Sequence, residues 1–321
     1  IGPENELNGI AFQGVGSETD ISHIQVHRNS DDGVEFFGGT AEAKYIYLTE
    51  EGDDSLDWTD GWQGKVQHVI IHQGTDDGDR GIEADNLEAS PTATPRTMPT
   101  ISNMTIIGGG DGATNEGVLF RRGTGIKLYN TLITNAGDAC IDLDTEATFN
   151  FGYDGGYTGN LTIQNSKVGG CAGGNFKDGD EDISTPFTVS EWYNNWDSNM
   201  QGTPELPNLG SADYRPASGS DAATTASVQP DGDNFFESTD YIGGASPDSD
   251  WTDGWTVPPI SGGTIGGGNN TPDPSEHPNV DCTDTSQTRL CNITGEITED
   301  LTIEPIEGTT WQLNDSVFVG D

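Results

Sequence analysis

The sequence predicts an all-β protein, a parallel β-helix solenoid, and three observations lead there. A short motif, a small or polar residue followed by apolar, any, apolar, returns about every two dozen residues through the first half of the chain. Each repeat carries a second segment of alternating apolar residues, and a period of two is the signature of a strand. Between the segments lie corners rich in Gly, Asp and Asn, residues that turn the backbone cheaply.

The motif reads Gly9 to Phe12, Gly33 to Phe36, Ser55 to Trp58, Gly81 to Ala84, Gly117 to Phe120 and Cys140 to Leu143, at intervals of 24, 22, 26, 36 and 23 residues. The one long interval holds the Pro-rich insertion Ser90 to Pro99. The second segments are Ile24 to Val26, Ile46 to Leu48, Val69 to Ile71, Met104 to Ile106 and, more weakly, Thr131 to Ile133. A leucine-rich repeat would show recurrent Leu with Asn or Cys at a fixed place, and a propeller blade needs about 40 residues. Stacked coils lie about 4.8 Å apart, so alignment of the repeats gives a contact map. Phe12, Phe36, Trp58, Ala84, Phe120 and Leu143 should form one inward column, and Ile10, Val34, Leu56, Ile82, Val118 and Ile141 another. Between them an outward column reads Ala11, Glu35, Asp57, Glu83, Leu119, Asp142.

Coils are expected over residues 1–174. Residues 175–257 lose the repeat yet keep Trp192, Tyr193, Trp196, Tyr214, Phe235, Phe236 and Tyr241, and are expected to cover the solenoid as an irregular segment. That segment closes on Asp250 to Trp255, which repeats Asp57 to Trp62 residue for residue. A Gly/Pro/Asn linker (258–280) and a β-rich tail (281–321) follow, with strand candidates at Leu301 to Ile303, Trp311 to Leu313 and Val317 to Val319.

Fifty-four acidic residues against 12 basic ones give a formal charge of −42. Phosphate binding needs clustered Lys and Arg, so a nucleic-acid partner is excluded. Hydrophobic residues make up 31% of the chain, and no apolar run approaches the ~20 residues of a membrane span. No signal peptide precedes Ile1 in the sequence as it stands. Such a charge repels itself unless salt or bound cations screen it, and an extracellular or cell-surface setting is expected.

Several motifs in order carry a family resemblance. Asn5 to Gly9, Val26 to Arg28 with Asp31 to Gly39, Asp53 to Trp58, Gly81 to Asn86, Asp213 to Pro216, Thr239 to Gly243 and Asp250 to Trp255 resemble secreted bacterial right-handed β-helix surface proteins and lipoproteins with a pectate-lyase-like fold. The resemblance covers about residues 1–257. It implies a right-handed solenoid and an extracellular setting, and it implies no reaction. Thr294 to Val319 looks like the opening strands of such a unit, so the chain is expected to start inside one unit and stop inside another.

The acidic column is the sharpest chemical feature. Glu35, Asp57 and Glu83 should stack on one face, with Asp31, Asp32, Asp53, Asp54, Asp76, Asp77 and Asp79 crowding the preceding corners. Carboxylates so close cannot all stay ionised and unpaired; protonation, corner amides or a cation must relieve them, and oxygen-rich clusters suit Ca2+. The alternative is aspartates that merely cap turns. An EF-hand is excluded because Ile82 falls where its glycine belongs, counting from Asp77. The same carboxylates, Glu35, Asp57 and Glu83, are the catalytic candidates for a glycoside hydrolase. A calcium-dependent lyase would also want a base such as Lys65, Arg80 or Arg121.

His27 and His72 should lie on one outward column with Thr49 between them, and His23, Tyr45, His68, Asn103 and Asn130 on another; stacked polar ladders account for both. Trp58 belongs to the inward column, leaving Trp62 as the possible sugar contact. Four cysteines suggest disulfides; of three possible connectivities, Cys140 with Cys171 and Cys282 with Cys291 is the one expected. No CxxC occurs.

The reading is an extracellular structural or adhesive protein, stabilised by Ca2+, that polymerises head to tail. Its tail, through Leu301, Ile303, Trp311, Leu313, Val317 and Val319, would add a strand to the open first coil of the next molecule. A polysaccharide-active enzyme or a sugar-binding module, with an extracellular polysaccharide as partner, is the alternative.

Overall fold

A computed structural model describes residues 7–75, 78–179, 184–230 and 234–256, and the backbones of strands within 280–284, 289–297 and 309–319. Short strands β1 (Ile10–Gln13), β3 (Val34–Phe37), β5 (Leu56–Thr59), β7 (Arg80–Ala84), β9 (Glu116–Phe120), β11 (Ala139–Leu143) and β14 (Gly174–Lys177) stack in parallel as one sheet. Longer strands β2 (Ile21–His27), β4 (Glu42–Thr49), β6 (Lys65–His72), β8 (Thr100–Ile107) and β10 (Ile126–Thr134) form the other wall. It is extended by β12 (Leu161–Gln164), β13 (Lys167–Val168) and β15 (Met200–Gln201). Alternation between the walls along the chain, with every pairing among these strands parallel, is the right-handed parallel β-helix the repeats predict.

Register on the first sheet follows the sequence alignment residue for residue. Phe12 pairs with Phe36 and Phe36 with Trp58; Trp58 pairs with Ala84, Ala84 with Phe120 and Phe120 with Leu143. These side chains, with the Ile10 to Ile141 column, fill the coil interior, and from Val34 onward they are fully buried. Burying each large one contributes about 1.5–3 kcal/mol. Phe12 stacks on Phe36 at 5.0 Å between ring centroids.

Each long strand of the second wall contains one residue with positive φ: His23 (56°), Tyr45 (62°), His68 (63°), Asn103 (55°) and Asn130 (54°). A left-handed residue between two extended halves resets the alternation and bends the strand, so the wall folds into two faces and the coil closes. Each such residue is unfavourable for a side chain other than glycine, and the column offsets this with lateral contacts. The rings of His23 and Tyr45 stack at 4.6 Å and those of Tyr45 and His68 at 4.9 Å. Farther along, Gln67 donates to Asn103 at 3.1 Å, and Asn165 to Asn130 at 2.8 Å. The expected polar ladder is therefore also the corner of the coil.

The second wall shows an apolar column outward as well: Tyr47, Ile70 and Leu132 are buried under Leu206, Tyr214, Ala222, Ile242 and Ala245. These come from the non-repeating segment, which sheathes that face. The approach is close at Gly244, where a Cβ would stand 2.1 Å from the carbonyl oxygen of Val69. Cys140 and Cys171 form a disulfide with Cα atoms 5.5 Å apart, tying the β11 coil to the turn before β14.

Strands β16 (Val280–Asp284), β17 (Arg289–Ile297) and β18 (Thr309–Val319) join the first sheet at its opposite edge, in the order β1, β18, β17, β16. β18 lies parallel to β1 with Ile10 opposite Val317. The chain thus covers the edge of its first coil with its own last strand. Trp311, Leu313, Val317 and Val319 lie on β18, whereas Leu301 and Ile303 fall outside the described residues. In the antiparallel pair β16 and β17, Cys282 stands directly opposite Cys291.

Candidate metal centre

The first sheet carries its charge in register. Glu35 pairs with Asp57 and Asp57 with Glu83, so the outward column stands as the repeat predicts. The corners bring further acids beside it. Carboxylate oxygens of Asp32, Glu35 and Asp57 lie within 4.8 Å of one another, as do those of Asp31, Asp32 and Asp53, and those of Asp53, Asp54 and Asp79. Asp32 and Asp53 are each shared between two triads, making one track of carboxylates across neighbouring coils. Asp76 and Asp77 lie outside the described residues.

Several of these groups are buried although ionisable: Asp32 is 7%, Glu35 8% and Asp54 4% exposed. Burial disfavours the charged form and neighbouring carboxylates repel it. Loss of solvent and the charges of Glu35 and Asp31 push Asp32 up to about 8. Burial, partly offset by hydrogen bonds from Asn8, Asp57 and Asp32, leaves Glu35 at about 7. Asp54 and Asp57 are raised well above the carboxylate range, by burial first and then by their acidic neighbours. Nearby Glu51, fully enclosed, accepts from the Thr49 amide at 2.7 Å and the Ser55 hydroxyl at 3.1 Å, and is raised to about 8. At the centre, Asn8 donates to Glu35, the Trp58 amide to Asp57, and the Asp54 amide to Asp32 at 3.1 Å.

Glu83 departs from the expected trio. Its carboxylate is engaged by Arg121 and by Arg80 at 3.1 Å, and it belongs to none of the triads. Arg121 also holds Asp85 at 2.9 Å, and Arg122 holds Asp85 at 2.6 Å. Farther along the sheet Lys177 bonds Glu116 at 2.6 Å and Asp142 at 2.9 Å. Sequence reasoning missed this internal compensation. Lys65, the third candidate base, pairs instead with Glu42 on the other wall, at 2.5 Å.

Trp62 is a correction: it is fully buried rather than presented to a sugar. Asp60 and Gly61 both take positive φ, 56° and 84°, and this tight corner turns the indole inward. It stacks on Phe36 at 4.1 Å and donates to the Ala41 carbonyl at 3.3 Å. Trp251 and Trp255 remain partly exposed, edge-on to Tyr45 and His23. The histidine columns are ladders: His27 bonds the Thr49 hydroxyl at 2.8 Å, and His72 the Tyr214 hydroxyl at 3.1 Å.

No helix among the described residues is long and apolar enough to cross a membrane. A family model described as a pectate-lyase-like beta helix domain matches residues 1–206. No curated protein and no solved structure matches the chain.

Proposed function

The chain belongs to the pectate-lyase-like β-helix domain family, and from that premise we propose that it is an extracellular structural or adhesive protein, stabilised by Ca2+, whose solenoids join head to tail. The single observation that carries this reading is the parallel pairing of β18 with β1, Ile10 opposite Val317. The first coil's edge accepts a strand from the tail, and the same pairing made between two molecules is β-strand addition. Such a contact is heterologous and extends into a filament unless its rotation closes. The corner triads Asp31, Asp32, Asp53 and Asp53, Asp54, Asp79 offer oxygen ligands of the kind Ca2+ takes. Disulfide Cys140–Cys171 suits an oxidising exterior.

Sedimentation velocity and electron microscopy of the full chain with calcium test the assembly. Concentration-dependent filaments are expected, abolished by deleting residues 281–321 or by Val317→Pro, which removes a ladder amide. A full chain that stays monomeric at micromolar concentration with calcium present would falsify the assembly.

A second reading, a polysaccharide-active enzyme, draws on one observation: Asp32, Glu35 and Asp57 gather within 4.8 Å, and two carboxyls about 5 Å apart suit a retaining hydrolase. Release of reducing ends from a polysaccharide panel, lost in Glu35→Gln, would favour it over the structural role.

A further inference from the structure

The last coil of the first sheet brings a lysine, an aspartate and a glutamate into mutual contact. β14 is the terminal strand of that sheet among the described residues, with β11 as its neighbour, and Lys177 lies in register with Asp142 across the pair. Lys177 Nζ stands 2.9 Å from Asp142 Oδ2 and 2.6 Å from Glu116 Oε1, with Asp138 Oδ2 at 3.4 Å. Glu116 also bonds Asp142, so each of the three reaches the other two.

An ordinary ion pair leaves part of this arrangement unexplained. Asp142 is 4% and Glu116 5% exposed, and Asp142 Oδ1 and Glu116 Oε2 accept no hydrogen bond, although Arg80 Nε approaches the latter at 3.5 Å. A buried carboxylate oxygen with nothing to accept is costly. Burial, opposed by the bond from Lys177, raises Asp142 to about 7. Near neutrality a share of it is therefore the uncharged acid, whose carbon an amine can attack.

We propose that Lys177 and Asp142 condense to an intramolecular amide, Nζ to Cγ, with Glu116 as the proton carrier. Against burial, which lowers it, the bonds to Glu116 and Asp142 raise the lysine above its ordinary value, so the reacting form is the minor one in which an ammonium proton has passed to Asp142. Nζ attacks Cγ, and Glu116 takes a proton from the nitrogen and returns it to the departing oxygen, which leaves as water. One ammonium and one carboxylate become one amide and one water. Glu116 ends as it began, and no oxidant or cofactor takes part. Register holds the pair together, and well-oriented intramolecular pairs react with effective molarities of about 10⁵–10⁸ M. The bond also has a place in the architecture, because a terminal coil has a neighbour on one side alone. Cys140–Cys171 ties the β11 coil to the turn before β14, and the amide fixes the strand itself.

Intact-mass spectrometry of the full chain, purified folded and then reduced, alkylated and denatured, tests this without any variant. The chain should be lighter than its sequence by one water, and digestion should yield one branched peptide joining the Asp142 and Lys177 segments. Lys177→Arg, which keeps the charge, and Asp142→Ala should both show the full mass. Glu116→Gln keeps both partners and should close about 10²-fold more slowly, as loss of a proton carrier does, leaving chain of full mass whose conversion is followed with time. A chain that is folded by circular dichroism yet has the full sequence mass overturns the proposal. So does a branch from Lys177 to Glu116 or Asp138, or a loss of water that persists in Lys177→Arg, the mark of an aspartyl imide. Closure at an unchanged rate in Glu116→Gln overturns the role given to that residue.

Discussion

The hydroxyls of Tyr47 and Tyr214 meet at 2.9 Å in the buried contact between the second wall and the segment that sheathes it. Their rings stand edge to face at 5.6 Å, and His72 reaches the same Tyr214 hydroxyl. Tyr214→Phe should cost about 0.5–1.5 kcal/mol, a net hydrogen bond. Tyr214→Ala should cost about 3–5 kcal/mol, as loss of a buried aromatic does. Urea denaturation of the two variants measures both; equal costs would mean that the ring contributes nothing beyond its hydroxyl.

Cys140 and Cys171 are 31 residues apart in sequence. Closing a loop of that size in the unfolded chain corresponds to about 3–4 kcal/mol in the chain-entropy account. Reduction, or Cys140→Ala with Cys171→Ala, should lower the denaturation midpoint accordingly, read against the oxidised protein in the same buffer.

Stability without metal should fall as pH rises. Asp32 and Glu51 titrate near 8 and Glu35 and Asp142 near 7 in the folded chain, against about 4 when unfolded. Between those limits the unfolded state binds fewer protons, so the stabilisation is complete below about pH 4 and is lost by about pH 8. Each group contributes up to about 1.4 kcal/mol per pH unit in that window. Glu51→Gln should remove one group's share of the slope in urea titrations at pH 5, 6, 7 and 8. A slope that is flat or of opposite sign would show that these acids are ionised in the fold.

On the calcium reading proposed above, the ion should reverse that loss, since a ligand taken up by ionised carboxylates of the folded state alone stabilises that state. At a free concentration one hundred times Kd a single site contributes about 2.7 kcal/mol. Excess chelator at fixed ionic strength should therefore lower Tm by several degrees at pH 8 and by less at pH 5. The same melting curve with and without chelator at pH 8 would dismiss the metal.

Trp62→Ala should cost about 3–5 kcal/mol, as for a core aromatic. Trp255→Ala, at a partly exposed position, should cost far less. The same two denaturation curves check the placement of both.

The first sheet was legible because its inward residues repeat at the spacing of the coils: Phe36, Trp58 and Phe120 declare their column before any coordinates exist. The corner of the second wall was read only as a ladder, because a left-handed backbone is signalled by glycine, and here His23, Tyr45 and Asn103 adopt it. Trp62 was misplaced for a related reason, since the sense of the Asp60-Gly61 corner decides whether the next indole points in or out. The stacked acids of the candidate site were visible. Their balance was not, because Lys177 falls where the repeat fades and its partner Asp142 is recognised only once the register is known.

The pairing of Ile10 with Val317 joins residues almost at opposite ends of the sequence, while every other parallel contact of the first sheet joins neighbouring coils. Neighbouring coils fold as local, low-contact-order units that propagate from any nucleus. A contact of such long sequence separation must await both ends, although its closure entropy grows only with the logarithm of the loop. Hydrogen exchange should therefore show it as the last pairing to form and among the first to open. Each opening releases a free strand and a free edge together, and in the head-to-tail assembly proposed above this single local event is the step that would set how quickly one molecule becomes competent to receive another.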